Sequence, residues 1–144
     1  MRLAQWGRLS ETGIPHRLEA RMPHHSRVLL VEDGLLLRFM MAQMLENTGF
    51  VVIGAGDADE ALSLLEADSF AIVVSDIDMP GEMDGVELAH EIRSRWPEVP
   101  VILISGEELP SRELPDGCPF LPKPVPDRLL VALMREMIAR ASGH

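Results

Sequence analysis

The chain has 144 residues, 47% of them apolar, enough for one domain with a sizeable core and too apolar for disorder throughout. Its net charge of −10 opposes nucleic-acid binding. No apolar stretch approaches the roughly 18 residues of a membrane span, Met1 to Met22 lacks the apolar region of a signal peptide, and one cysteine, Cys118, excludes an internal disulfide and fits a reducing cytoplasm.

Residues 1–25 show no sustained apolar period and contain Gly7, Gly13, Pro15, Pro23 and the pair His24-His25. They carry a charge of +2, which leaves −12 on the remainder. This stretch reads as a flexible N-terminal extension, with Met22 an alternative start, and residues 26–144 as the folded domain. The histidine pair has no further metal ligands beside it.

From Arg27 the pattern is regular. A strand is predicted at about 27–32, then a helix over Leu35 to Asn47 with Leu36, Met40, Met44 and Leu45 at helical spacing and Gly49 ending it. The methionines, Met40, Met41 and Met44 among them, read as core. A second strand at 50–55 precedes a helix capped by Asp59 or Asp57 and running through Ala67. A third strand at 70–75 leads to a helix opening at Asp84-Gly85, with Val86, Leu88, Ala89 and Ile92 inward, that stops before Pro97. Strands at 100–105 and 119–121 follow, and a last helix from Pro126 to Ala141 turns Leu129, Leu130, Leu133, Met137 and Ile138 inward. Residues 106–118, with Pro110, Pro115 and Gly117, offer at most one turn of the helix that alternation calls for. Such βα alternation predicts an open parallel α/β sheet with helices on both faces and a fourth helix that is short or absent.

Each apolar run ends in polar residues: VLLV in Glu32-Asp33, AIVVS in Asp76, VILI in Ser105-Gly106, and FLP in Lys123. Open parallel sheets bind ligands at the carboxyl ends of their strands, so three carboxylates, a hydroxyl and an ammonium should meet at one edge. A strand-end carboxylate attacks phosphorus once a cation screens the repulsion between anions. Mg²⁺ takes few protein carboxylates and bridges to phosphate oxygens, and a lysine neutralises a phosphoryl oxygen as a point charge.

The motifs VLLVED, SDIDMPGEMDGVEL, VILISG and FLPKPV, spread over residues 27 to about 141, closely resemble the receiver domain of two-component response regulators in its single-domain, chemotaxis-regulator-like form. The resemblance implies a flavodoxin-like five-stranded sheet of order 2-1-3-4-5. It makes Asp76 the phosphoacceptor and Glu32 and Asp33 the acidic pair that holds Mg²⁺, together with Asp76 and the backbone carbonyl of Asp78. It assigns Ser105 as the switch hydroxyl, Lys123 as the phosphoryl-contacting lysine, Phe120 as the aromatic that moves on activation, and Lys123-Pro124 as a cis peptide. The resemblance also implies that Asp78 and Glu107, two residues past the phosphoacceptor and the switch hydroxyl, occupy positions that in this family tune phosphorylation and dephosphorylation rates. Two departures stand out: the loop Pro80 to Gly85 is one residue longer than usual, and the segment from Ser105 to Lys123 is shorter than usual.

The expected function is that of a stand-alone, cytoplasmic receiver in a phosphorelay, not a turnover enzyme. Its partners would be a sensor histidine kinase or histidine phosphotransfer protein and a downstream effector protein, without DNA or membrane binding. Two rivals remain at this stage. One is a haloacid dehalogenase-like phosphatase using Asp76 and Asp78, against which only Asp127 and Glu136 follow Lys123. The other is a receiver-like module that binds partners without phosphorylation.

Overall fold

Continuous apolar runs on short strands, joined by helices, produce one sheet covered on both faces. The computed structural model describes residues 26–106 and 112–142; the extension 1–25, Glu107 and residues 143–144 lie outside the described residues. The elements are β1 (Arg27–Val31), α1 (Leu35–Asn47), β2 (Val51–Ala55), α2 (Ala58–Ala67), β3 (Ile72–Asp76), α3 (Gly85–Arg95), β4 (Val101–Ser105), β5 (Phe120–Pro122) and α4 (Asp127–Ser142). All pairings are parallel and the order is β2-β1-β3-β4-β5, the flavodoxin-like arrangement.

Successive strand residues face opposite sides of the sheet. Leu29, Val31, Val73 and Leu103 therefore pack with Ala61 and Leu65 of α2 and Leu88 and Ile92 of α3. Val28, Leu30, Val74 and Ile102 pack with Leu45 of α1 and Leu130, Met134 and Ile138 of α4. β3 and β4 are buried along their whole length, as strands covered on both faces must be.

Two helix faces differ from the expected ones. On α1, Leu36 and Met40 are 72% and 56% exposed, and Leu45 alone is buried. The inward stripe is Arg38, Met41, Ala42, Met44 and Leu45, so the expected Met44 and Leu45 do pack inward while Leu36 and Met40 do not. Counting apolar residues misses the start of this stripe because its first member is an arginine. The Arg38 stem lies over β2, close enough that a Cβ at Gly54 would come within 3.1 Å of it. On α4, Leu129 is 50% exposed and Met134 is fully buried in its place.

Asp57, not Asp59, caps α2 by accepting from the Glu60 N–H. The β4–β5 crossover has no helix among its described residues. Instead residues 112–118 lie along α3. Arg112 pairs with Asp84 at 2.5 Å, an Arg93 Nη2–H donates to the Asp116 carbonyl at 2.6 Å, and the His90 ring hydrogen-bonds the Glu113 carbonyl.

Candidate functional site

Sheet register assembles the site. Val31 pairs with Ser75, so the next residues, Glu32 and Asp76, leave the sheet side by side. Asp76 pairs with Ile104, which puts Ser105 one step further along β4, and Ser105 pairs with Pro122, which delivers Lys123 to the same edge. The Lys123 backbone N–H donates to the Ser105 carbonyl at 2.8 Å, and the Lys123-Pro124 bond is cis.

Lys123 Nζ stands 3.0 Å from Asp76 Oδ2 and 3.5 Å from Glu32 Oε1. Both carboxylates are buried, whereas Asp33 is exposed. The Asp78 N–H donates to Asp76 Oδ1 at 3.1 Å, and the Gly34 N–H to Glu32 Oε2 at 3.0 Å. Burial, helped by the neighbouring Asp76 charge, raises the Glu32 carboxyl above its usual range despite the Gly34 N–H and Lys123. Burial acts against the Lys123 ammonium, yet Asp76 and Glu32 outweigh it and hold the lysine above its ordinary value.

Carboxylate oxygens of Glu32, Asp33 and Asp76 lie within 4.8 Å of one another. Three acids thus cluster, two of them in contact with Lys123, and their donors are all hard oxygens. This set fits a small divalent cation such as Mg²⁺. The Asp78 carboxylate is not one of this cluster; it accepts from the Ser105 hydroxyl at 2.9 Å. Phe120 is half-buried and packs on the α2–α3 side of the core. Glu107 lies outside the described residues.

The loop from Ile77 to Asp84 returns under Asp76. The Gly85 N–H donates to the Ile77 carbonyl at 2.8 Å, and Gly81, with φ +100°, absorbs the turn. Asp84 and Glu87 then form a reciprocal capping box that starts α3. Sequence reasoning missed Arg38, whose Nη1–H donates to the Glu32 carbonyl at 2.6 Å and fixes the backbone of the acidic pair. The available signal was a cation in the 38-41-42-45 phase facing Gly54 and Gly56, where no side chain blocks its path. Cys118 is buried, and desolvation pushes its thiol up to about 11 against the opposing charge of Arg93, so it is an inert thiol.

Residues 28–135 match the family model of the response regulator receiver domain, and the chain belongs to that family. It is 42% identical over 113 residues to the C4-dicarboxylate transport transcriptional regulatory protein DctD of Rhizobium meliloti, spanning 75% of this chain and 24% of that protein. It is 38% identical over 119 residues to the sensor kinase CckA of Brucella abortus, spanning 78% of this chain and 12% of that one. The chain therefore corresponds to about a quarter or less of the length of these relatives. Among solved structures, the response regulator TrrA of Thermotoga maritima, determined in complex with Mg²⁺ and BeF, superposes with a TM-score of 0.71 at 25% identity, covering 78% of this chain and 98% of that one. No helix among the described residues is long and apolar enough to cross a membrane.

Proposed function

We propose that residues 26–144 form a phosphoacceptor receiver that takes a phosphoryl group from a phosphohistidine onto Asp76 and thereby switches a protein-binding surface. The observation that carries this reading is the Lys123 ammonium 3.0 Å from Asp76 Oδ2, where Asp76 is also one of the three clustered acids Glu32, Asp33 and Asp76. In the transfer, the P–N bond to the donor imidazole breaks, a P–O bond to an Asp76 carboxylate oxygen forms, and the imidazole nitrogen leaves with the electron pair. Lys123 is placed to neutralise charge on the phosphoryl oxygens, and the Asp78 N–H orients the Asp76 carboxylate. Glu32, Asp33, Asp76 and the Asp78 carbonyl would hold Mg²⁺, which supplies positive charge between phosphoryl and carboxylate oxygens. Ser105 and Phe120 are the proposed switch pair, with Asp78 and Glu107 setting rates. The donor is a histidine kinase or phosphotransfer protein, the output a contact with an effector protein, and the compartment the cytoplasm, where such donors work. Output without DNA contact by these residues is part of the same proposal and is consistent with the charge of −10.

Intact mass after incubation with acetyl phosphate and Mg²⁺ tests this. One phosphoryl adduct is expected on the wild type, absent from Asp76→Asn and abolished by EDTA. Sustained hydrolysis of phosphate monoesters, without an adduct, would favour a phosphatase instead.

A further inference from the structure

Resting on that reading, we propose that the Asp78 side chain is a latch: it holds the proton of the Ser105 hydroxyl and competes for it with a phosphoryl group on Asp76. Asp78 contacts both members of the switch. Its backbone N–H reaches Asp76 Oδ1 at 3.1 Å, while its Oδ2 accepts from Ser105 Oγ at 2.9 Å. Ser105 is only 1% exposed, and its carbonyl is tied to the Lys123 N–H, so its backbone has little freedom to bring the hydroxyl elsewhere.

A serine hydroxyl carries one proton and can donate it to one acceptor at a time. A carboxylate acceptor makes the existing bond charge-assisted and about twice as strong as a neutral one. For Ser105 to engage a phosphoryl oxygen, the O–H···Oδ2 bond to Asp78 must break and an O–H···O–P bond form, with no covalent change. Asp78 is exposed, so its freed carboxylate turns to water. The latch stabilises the unswitched arrangement and is lost in the switched one. It therefore lowers affinity for any phosphoryl mimic and the fraction of phosphorylated molecules that switch.

Removing Asp78 also removes a negative charge near the incoming anion, and a double-mutant cycle separates the two effects. Beryllofluoride with saturating Mg²⁺ is titrated calorimetrically into the wild type, Asp78→Ala, Ser105→Ala and the double variant. Thermal unfolding in EDTA checks that each is folded. Asp78→Ala is expected to tighten binding about tenfold in the Ser105 background, as loss of one charge-assisted competitor implies, and at least about threefold less in the Ser105→Ala background, where only the charge effect survives. Equal effects in the two backgrounds would overturn the latch and leave the phosphoacceptor reading standing. Failure of the folded wild type to bind beryllofluoride would overturn both.

Discussion

Gly85 sits directly beneath Asp76: a Cβ on Gly85 would stand 2.2 Å from the Asp76 carbonyl oxygen and 2.6 Å from the Ile77 Cα. The obstacle is backbone, which cannot swing aside as a side chain can. Gly85 is needed here for close approach, since its φ is not in the left-handed region. Gly85→Ala should destabilise the fold by about 1–3 kcal/mol through overpacking, read as a lower urea midpoint. It should also weaken phosphoryl uptake, because the strand end carrying Asp76 must shift. Gly106→Ala, where an added Cβ meets nothing within 4 Å among the described residues, is the control.

Lys123→Met should destabilise the metal-free protein, because it leaves Glu32 and Asp76 buried without their shared cation. A loss of about 1–3 kcal/mol is expected. Mg²⁺ should then raise Tm more in this variant than in the wild type, since the ion takes over the missing charge. An unchanged Mg²⁺-dependent increment in Tm would contradict that account. Phosphoryl uptake from acetyl phosphate should fall at least about a hundredfold in either case.

The Asp84–Arg112 pair predicts a specific pH dependence. Burial pushes the Asp84 carboxyl up, but the Arg112 guanidinium and the Glu87 and Val86 N–H groups outweigh it and hold it below its ordinary value of 3.8. A carboxyl depressed in the folded state contributes stability that is complete above its unfolded value and is lost as pH falls through its folded one. The wild type should exceed Asp84→Asn, which keeps the cap but not the charge, by about 0.5–1 kcal/mol near neutrality. That margin should persist at pH 6 and close below about pH 4. Urea unfolding at stepped pH measures it.

The re-phased helices give a packing prediction. Met134→Ala, at a fully buried position, should cost about 2–5 kcal/mol. Met40→Ala, on the outward face of α1, should stay within about 0.5 kcal/mol. Comparable losses from the two would mean that α1 packs with Met40 inward.

Much of this was legible beforehand, for identifiable reasons. Buried parallel strands are continuous apolar runs, so β1, β3 and β4 could be read directly, and the polar residue ending each run had to fall at one sheet edge. Strand order, and the roles of Asp76, Lys123 and Ser105, came from the family resemblance. Helix faces were less legible. α1 turns an arginine inward and leaves Leu36 and Met40 in water, so apolar counting found Met44 and Leu45 but erred over the first half of the helix. The Ser105–Asp78 bond, the Arg38 anchor and the Arg112–Asp84 pair join residues 27, 6 and 28 positions apart. The Ser105 and Arg112 links depend on loop paths that no local period encodes, and the Arg38 anchor on a helical phase that opens with a cation.

The described stretch from Arg112 to Lys123 has a mechanical consequence. Two chain paths border the site, one from Asp76 through the loop to Asp84 and one from Arg112 to Lys123. Arg112 and Asp84 fasten them together downstream, while Lys123 and Asp76 fasten them at the sheet edge. The two fasteners close a ring of chain around the site, so neither path can open far without straining the other. Their amides should exchange with solvent as a single cooperative unit, and cutting the ring with Arg112→Ala should split that unit into two with separate opening rates.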